Sequence, residues 1–302
     1  MPRRQCASVT LYLNVVLKVV SMGALKKVGL GHAPDRFARR LVRSADVLVL
    51  CAALMGCGAE TYERRLEETR KYFEYLQNVN QALSPAPWSE MGIELRVPKQ
   101  FEMIPPPTGA TDPDGLPQPA SPASDPRQPR FLEVELPGLL GAWRATVPVD
   151  TDRETRDLPA FLYVCSNHFL WLQREKNPDV DPLSFDVEFG RRLAPVVGVS
   201  PPSSDYDWEW TEEKIPKPGS YAPSKLFDTI TFEVVTKGVK YDLMLFRHHA
   251  QDIHVILMYL VPEDIAPQVR LRRAIEYSLH SLKVSPEVPT SQPAAKPARR
   301  GF

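Results

Sequence analysis

The apolar run from Val47 to Met55 is far shorter than the ~20 residues a helix needs to cross a bilayer, which argues against a simple membrane span there. Cysteine is scarce: of Cys6, Cys51, Cys57 and Cys165, only Cys165 lies beyond residue 57, too few for an intramolecular disulfide or a cysteine-rich zinc site in the body of the chain. Cys165 sits in the apolar "AFLYVCSNHF" and reads as a buried strand residue rather than a nucleophile. No Gly-x-Ser-x-Gly, Ser-x-x-Lys, phosphate-cradling glycine loop or His-Glu-x-x-His occurs. The sequence therefore names no catalytic residue and implies no cofactor. Charge of either sign is not in excess, with 37 basic and 37 acidic residues. Proline is the residue present in abundance: 31 in 302 positions, about twice the ~5% of an average protein, and clustered.

Arg36, Arg39, Arg40 and Arg43 precede the apolar run, and small residues follow it. A positive region, a short hydrophobic region and a small-residue end are the layout of a secretory signal peptide. The run ends in Leu54-Met55-Gly56-Cys57, which resembles the lipobox of bacterial lipoproteins. That resemblance implies cleavage between Gly56 and Cys57, lipidation of the Cys57 sulfur, and attachment to a membrane through acyl chains worth about 0.8 kcal/mol per buried CH₂. Gly58, where the family's inner-membrane retention signal has aspartate, implies sorting to the outer membrane. Met22 opens a basic leader of ordinary length, so residues 1–21 are expected to belong to an over-extended start, and 1–56 to a leader region. The leader holds nine Lys/Arg and two Asp/Glu, leaving 28 basic against 35 acidic residues and a net charge of −7. That acidity argues against a nucleic-acid partner, whose phosphates call for Lys and Arg.

Residues 57–87 read as a lipid-anchored helix. Within them, 59–83 contain no Gly or Pro and place Tyr62, Leu66, Thr69, Phe73, Leu76, Asn80 and Leu83 at three- and four-residue spacings, before "SPAPW" stops the pattern. Ile93, Leu95 and Val97 alternate with polar residues as in a strand. Residues 105–130 are dense in proline without aromatic or β-branched aliphatic residues, which predicts a flexible loop dispensable for folding. Strand patterns follow at 131–136, 142–149, 160–169, 229–236, 239–247 and 253–260, the last three forming an antiparallel meander. A helix with Val269, Ala274, Ile275, Ser278, Leu279 and Leu282 on one face closes the domain, and 285–302 read as a disordered tail.

This order predicts one α+β domain over 88–284, an antiparallel sheet covered by helices. "RVPKQFEMIPPP" at its start and "AIEYSLHSLKV" at its end resemble the PsbP-like fold, which implies a sandwich architecture and no activity.

Two constellations could carry chemistry. "RHHAQDIH" brings His248, His249, Asp252 and His254 within seven residues, and imidazole and carboxylate are zinc ligands. On a hairpin His248 and His249 point to opposite faces, so one of the two converges with His254; the metal candidates are His248 and His254, against a polar hairpin tip. "DYDWEWTEE" places Tyr206, Trp208 and Trp210 on one face of a strand, a platform for a sugar or peptide side chain unless the rings are buried. The sequence thus predicts a lipid-anchored protein of the bacterial envelope with a binding or structural domain, its partners the membrane through Cys57 and an envelope protein or glycan. The alternatives are an envelope enzyme using the histidines or the aromatic stretch, and a cytosolic adaptor using its proline-rich loop.

Overall fold

The computed structural model of the chain describes residues 61–107, 125–150, 154–204, 208–217 and 221–289. The leader, Gly56 and Cys57, the middle of the proline-rich loop, Tyr206 and residues 290–302 lie outside these. The chain divides into two compact units, 1–68 and 69–302. Of the first, 61–68 are described and helical, with Arg64 pairing Glu68 one turn on at 4.0 Å.

The second unit opens with α1, helical over 69–82. Among the described residues ten strands and three further α-helices follow: β1 (Trp88–Glu90), β2 (Ile93–Leu95), β3 (Glu102–Met103), β4 (Leu139–Asp150), β5 (Thr155–Ser166), α2 (His168–Lys176), α3 (Phe185–Val197), β6 (Thr211–Ile215), β7 (Lys225–Thr236), β8 (Val239–Ala250), β9 (Ile253–Pro262), α4 (Leu271–Ser281) and β10 (Lys283–Val284). Seven strands form one sheet in the order β3-β4-β5-β9-β8-β7-β6, antiparallel at every junction, and β1-β2-β10 form a second, small sheet. The architecture is α+β.

The central strand explains the rest. β9 is buried at all ten positions, which requires cover on both faces of the sheet, so its sequence is a continuous apolar run instead of an alternation. On one face Val255, Leu257 and Tyr259 pack with Trp143, Leu162 and Phe227 beneath Ile93, Leu95, Ile275 and Leu279, contributed by the small sheet and α4. On the other, Ile256, Met258 and Leu260 pack with Tyr163, Leu243 and Leu245 beneath Phe185, Phe189 and Leu193 of α3. α1 lies against α4, where the Tyr75 ring meets Tyr277 edge-on and its hydroxyl meets His280 Nδ1 at 3.1 Å.

The meander has the expected order, and its β7–β8 turn uses Lys237 and Gly238, both at positive φ, as a two-residue hairpin of this twist requires. Four local expectations differ. Residues 131–136 are not a strand: Arg130–Leu132 form a 3-10 turn, and Val134 and Leu136 bury themselves from a loop. The strand expected to reach residue 169 stops at Ser166, because Asn167 turns the chain into α2. α3 had no counterpart in the sequence reading. Finally, the carboxyl end of the proline-rich segment is packed: Asp125 and Gln128 are buried, and Gln128 binds the Leu136 backbone through both amide atoms at 2.7 and 3.1 Å.

Candidate functional site

Alternation along β8 places Tyr241, Leu243 and Leu245 under α3 and continues to Arg247 and His249 at the end of the same face. On β9, His254, Ile256 and Met258 share that face. His249 and His254 are opposed across the hairpin, and their rings stack with centroids 4.0 Å apart. The third member comes from α3. Its buried stripe of Phe185, Phe189 and Leu193 holds the helix on the sheet, and Asp186, in the first turn, is buried beside it. The amino end of a helix is a favourable place for a carboxylate.

Asp186 Oδ2 faces His249 Nε2 at 3.0 Å, His254 Nδ1 at 3.0 Å and Arg247 Nη1 at 3.5 Å. Burial pushes its carboxyl up, but hydrogen bonds from the two histidines and their positive potential outweigh that and hold it well below the usual carboxylate range. Arg247 is engaged chiefly elsewhere: Asp228 Oδ2 accepts from its Nε and Nη2 at 3.1 and 3.0 Å, and its guanidinium lies 4.6 Å from the Trp210 ring. The hairpin is pinned from behind by Asn167, whose side chain accepts from the His254 backbone N–H at 3.0 Å and donates to Asp252 O at 2.9 Å. Among the described residues, Asp186, His249 and His254 bring their ligand atoms within 4.8 Å of one another, a convergence that could hold a metal ion.

The sequence candidates are distributed as follows. His254 is in the cluster. His248 is not: it lies on the opposite face against Phe227, its Nδ1 2.8 Å from Leu226 O, and His249 takes the place beside His254. Trp208 and Trp210 do not form a stacking platform, since the strand begins only at Thr211. Trp208 is buried against Phe232 and donates to Ser200 O at 3.3 Å, while Trp210 lies beneath Arg247. Tyr206 lies outside the described residues. Cys165 is fully buried in β5, and burial pushes its thiol up, away from the reactive thiolate. Asp186, Asn167 and Arg247 went unread as site residues.

A separate cleft of about 700 Å³ is lined by Met91, Met103, Arg127, Leu139, Phe169 and Gln173, among others. Beside it Arg127 grips Asp125 with Nη2 to Oδ2 at 2.7 Å and donates to Leu140 O at 2.7 Å. Its size and mixed lining are those of small-molecule sites.

No protein-family model matches the chain, and no curated protein matches it. A solved structure from Bacteroides thetaiotaomicron is similar at a TM-score of 0.29 and 8% identity, over 66% of this chain and 48% of that one. The chain spans about half the length of that protein, and a likeness at this level carries no argument.

Proposed function

We propose that the chain is a lipoprotein of the bacterial envelope, held on a membrane by lipid at Cys57, with an α+β domain that binds a ligand or partner there. The observation that carries this reading is Leu54-Met55-Gly56-Cys57 at the end of a short apolar run behind four arginines. The −7 charge of the chain from Cys57 onward fits an envelope protein better than a nucleic-acid binder. Among the described residues no helix is long and apolar enough to cross a membrane. The cleft beside Arg127 would offer an envelope ligand apolar walls for contact area and the Gln173 side chain for orientation.

Labelled palmitate tests the reading. Label is expected in the wild-type chain, recovered with membranes, and absent from Cys57→Ser. Wild-type protein that stays unlabelled in the cytosolic fraction would refute it.

A further inference from the structure

We propose that Asp186, His249 and His254 form a binding site for one divalent first-row transition-metal ion, with zinc the natural probe. Two neutral imidazoles and a carboxylate are the donor set of open zinc sites, in which three protein ligands leave a coordination position for water. Bond lengths of about 2.0–2.1 Å in a tetrahedral site set ligand atoms about 3.3 Å apart. The two 3.0 Å separations from Asp186 Oδ2 to the imidazole nitrogens need to open by only a few tenths of an ångström, the two nitrogens lie within 4.8 Å of each other, and the protons these nitrogens share with Asp186 leave to solvent as the metal takes their lone pairs.

A second observation points to a ligand independently of that convergence. Asp186 is 7% exposed, and its Oδ1 has no hydrogen-bond partner. A buried carboxylate oxygen without a partner is costly, and a purely structural Asp-His-His network would leave it so. A cation held by both carboxylate oxygens would supply the missing interaction at Oδ1. Access is available as well, because the His249 side chain is 37% exposed while those of His254 and Asp186 are 10% and 3%. The neighbouring Arg247 does not bar a cation, since Asp228 takes two of its donors and offsets its charge. The remaining charge is that of Asp186, which a divalent ion complements.

Behind the site, Asn167 accepts from the His254 backbone N–H and donates to Asp252 O, which fixes the start of the strand that carries His254.

The full chain, purified in detergent and stripped with chelator, is titrated with Zn(II), and with Co(II) for its visible absorption. One equivalent per chain is expected, with Co(II) bands of a four- or five-coordinate ion. His249→Ala changes a partly exposed residue and leaves the fold intact; it is expected to weaken binding by about 100-fold or more. Asp186→Asn, which keeps the shape of the carboxylate, is expected to do the same, and His248→Ala, on the other face, to leave binding unchanged. Folded protein, verified by circular dichroism, that takes up neither ion overturns the proposal. So does uptake that survives in both His249→Ala and Asp186→Asn.

Discussion

Two buried histidines away from the Asp186 cluster set how this protein responds to acid. His168 is 1% exposed and meets Ser166 Oγ at 2.6 Å; burial lowers it from 6.5 to about 4. His280, between Tyr75 and Lys225, is lowered to about 4 by burial and then by the Lys225 charge. Both are depressed, so between these values the unfolded chain binds protons that the folded chain does not. Their stabilising contribution is complete above pH 6.5 and is lost as pH falls toward 4. The slope is about 1.4 kcal/mol per pH unit for each histidine. Urea midpoints should be level from pH 8 to 7 and drop from pH 6.5 downward, less steeply in His168→Asn; level midpoints down to pH 5 would show that the two rings are not buried as neutral species. Neither residue stood out in the sequence, where the histidines of "RHHAQDIH" drew attention by crowding. Alternation did show that His248 and His249 part company, but which of them meets His254 depends on the hairpin register. Only the pairing of His249 with His254 settles it.

α3 shows why a site can be invisible when its residues are common ones. Phe185, Phe189 and Leu193 repeat every fourth position, and Gly198 at φ 70 ends the helix, so the pattern is present in the sequence. It is obscured by Pro195 within the last turn. Asp186 reads as an ordinary first-turn acid until the helix is laid on the sheet. Gly190 fixes how closely the chain that follows the helix returns over it. In an open helix Gly→Ala would stabilise by about 1 kcal/mol. Here an added Cβ would lie 2.6 Å from Pro202 Cγ and 3.6 Å from the Trp208 ring, so the chain that follows the helix leaves no room. Overpacking of this kind costs about 1–3 kcal/mol, more than propensity returns. Gly190→Ala is therefore expected to lower the thermal midpoint; an unchanged or raised midpoint would mean that Pro202 gives way and that α3 is seated less tightly than the packing indicates. The strands, by contrast, announced themselves. β7, β8 and β9 are long, β-rich and separated by short breaks, so both their existence and their order could be read directly.

Across the whole second unit, the layered plan followed from the sequence and its covering pieces did not. A strand that runs apolar from Val255 to Val261, as β9 does, must lie mid-sheet with both faces covered, and α4 was readable as one cover from its apolar face. The other cover is assembled from α3 and from the segment 132–136, whose burial depends on partners distant in sequence. The proline-rich region between β3 and β4 shows the same division. Composition alone argued that all of 105–130 could be replaced without loss, yet its last residues belong to the fold. Asp125 and Arg127 form an ion pair with side chains only 5% and 12% exposed, Arg127 holds Leu140 O at the start of β4, and Gln128 satisfies the backbone of Leu136. Two replacements by a Gly-Ser linker should therefore behave differently. Exchanging 108–124 removes no aromatic or β-branched aliphatic residue and changes closure entropy by about 0.6 kcal/mol per doubling of length, so the melting temperature should hardly move. Exchanging 105–130 also strips the Leu136 amide and the Leu140 carbonyl of their partners, at about 1–3 kcal/mol for each buried group left unsatisfied. A loss of several degrees or more is expected in that variant alone. Equal melts for the two variants would mean that the Asp125–Arg130 contacts contribute nothing, whereas a large loss on exchanging 108–124 would mean that its prolines pack on the domain.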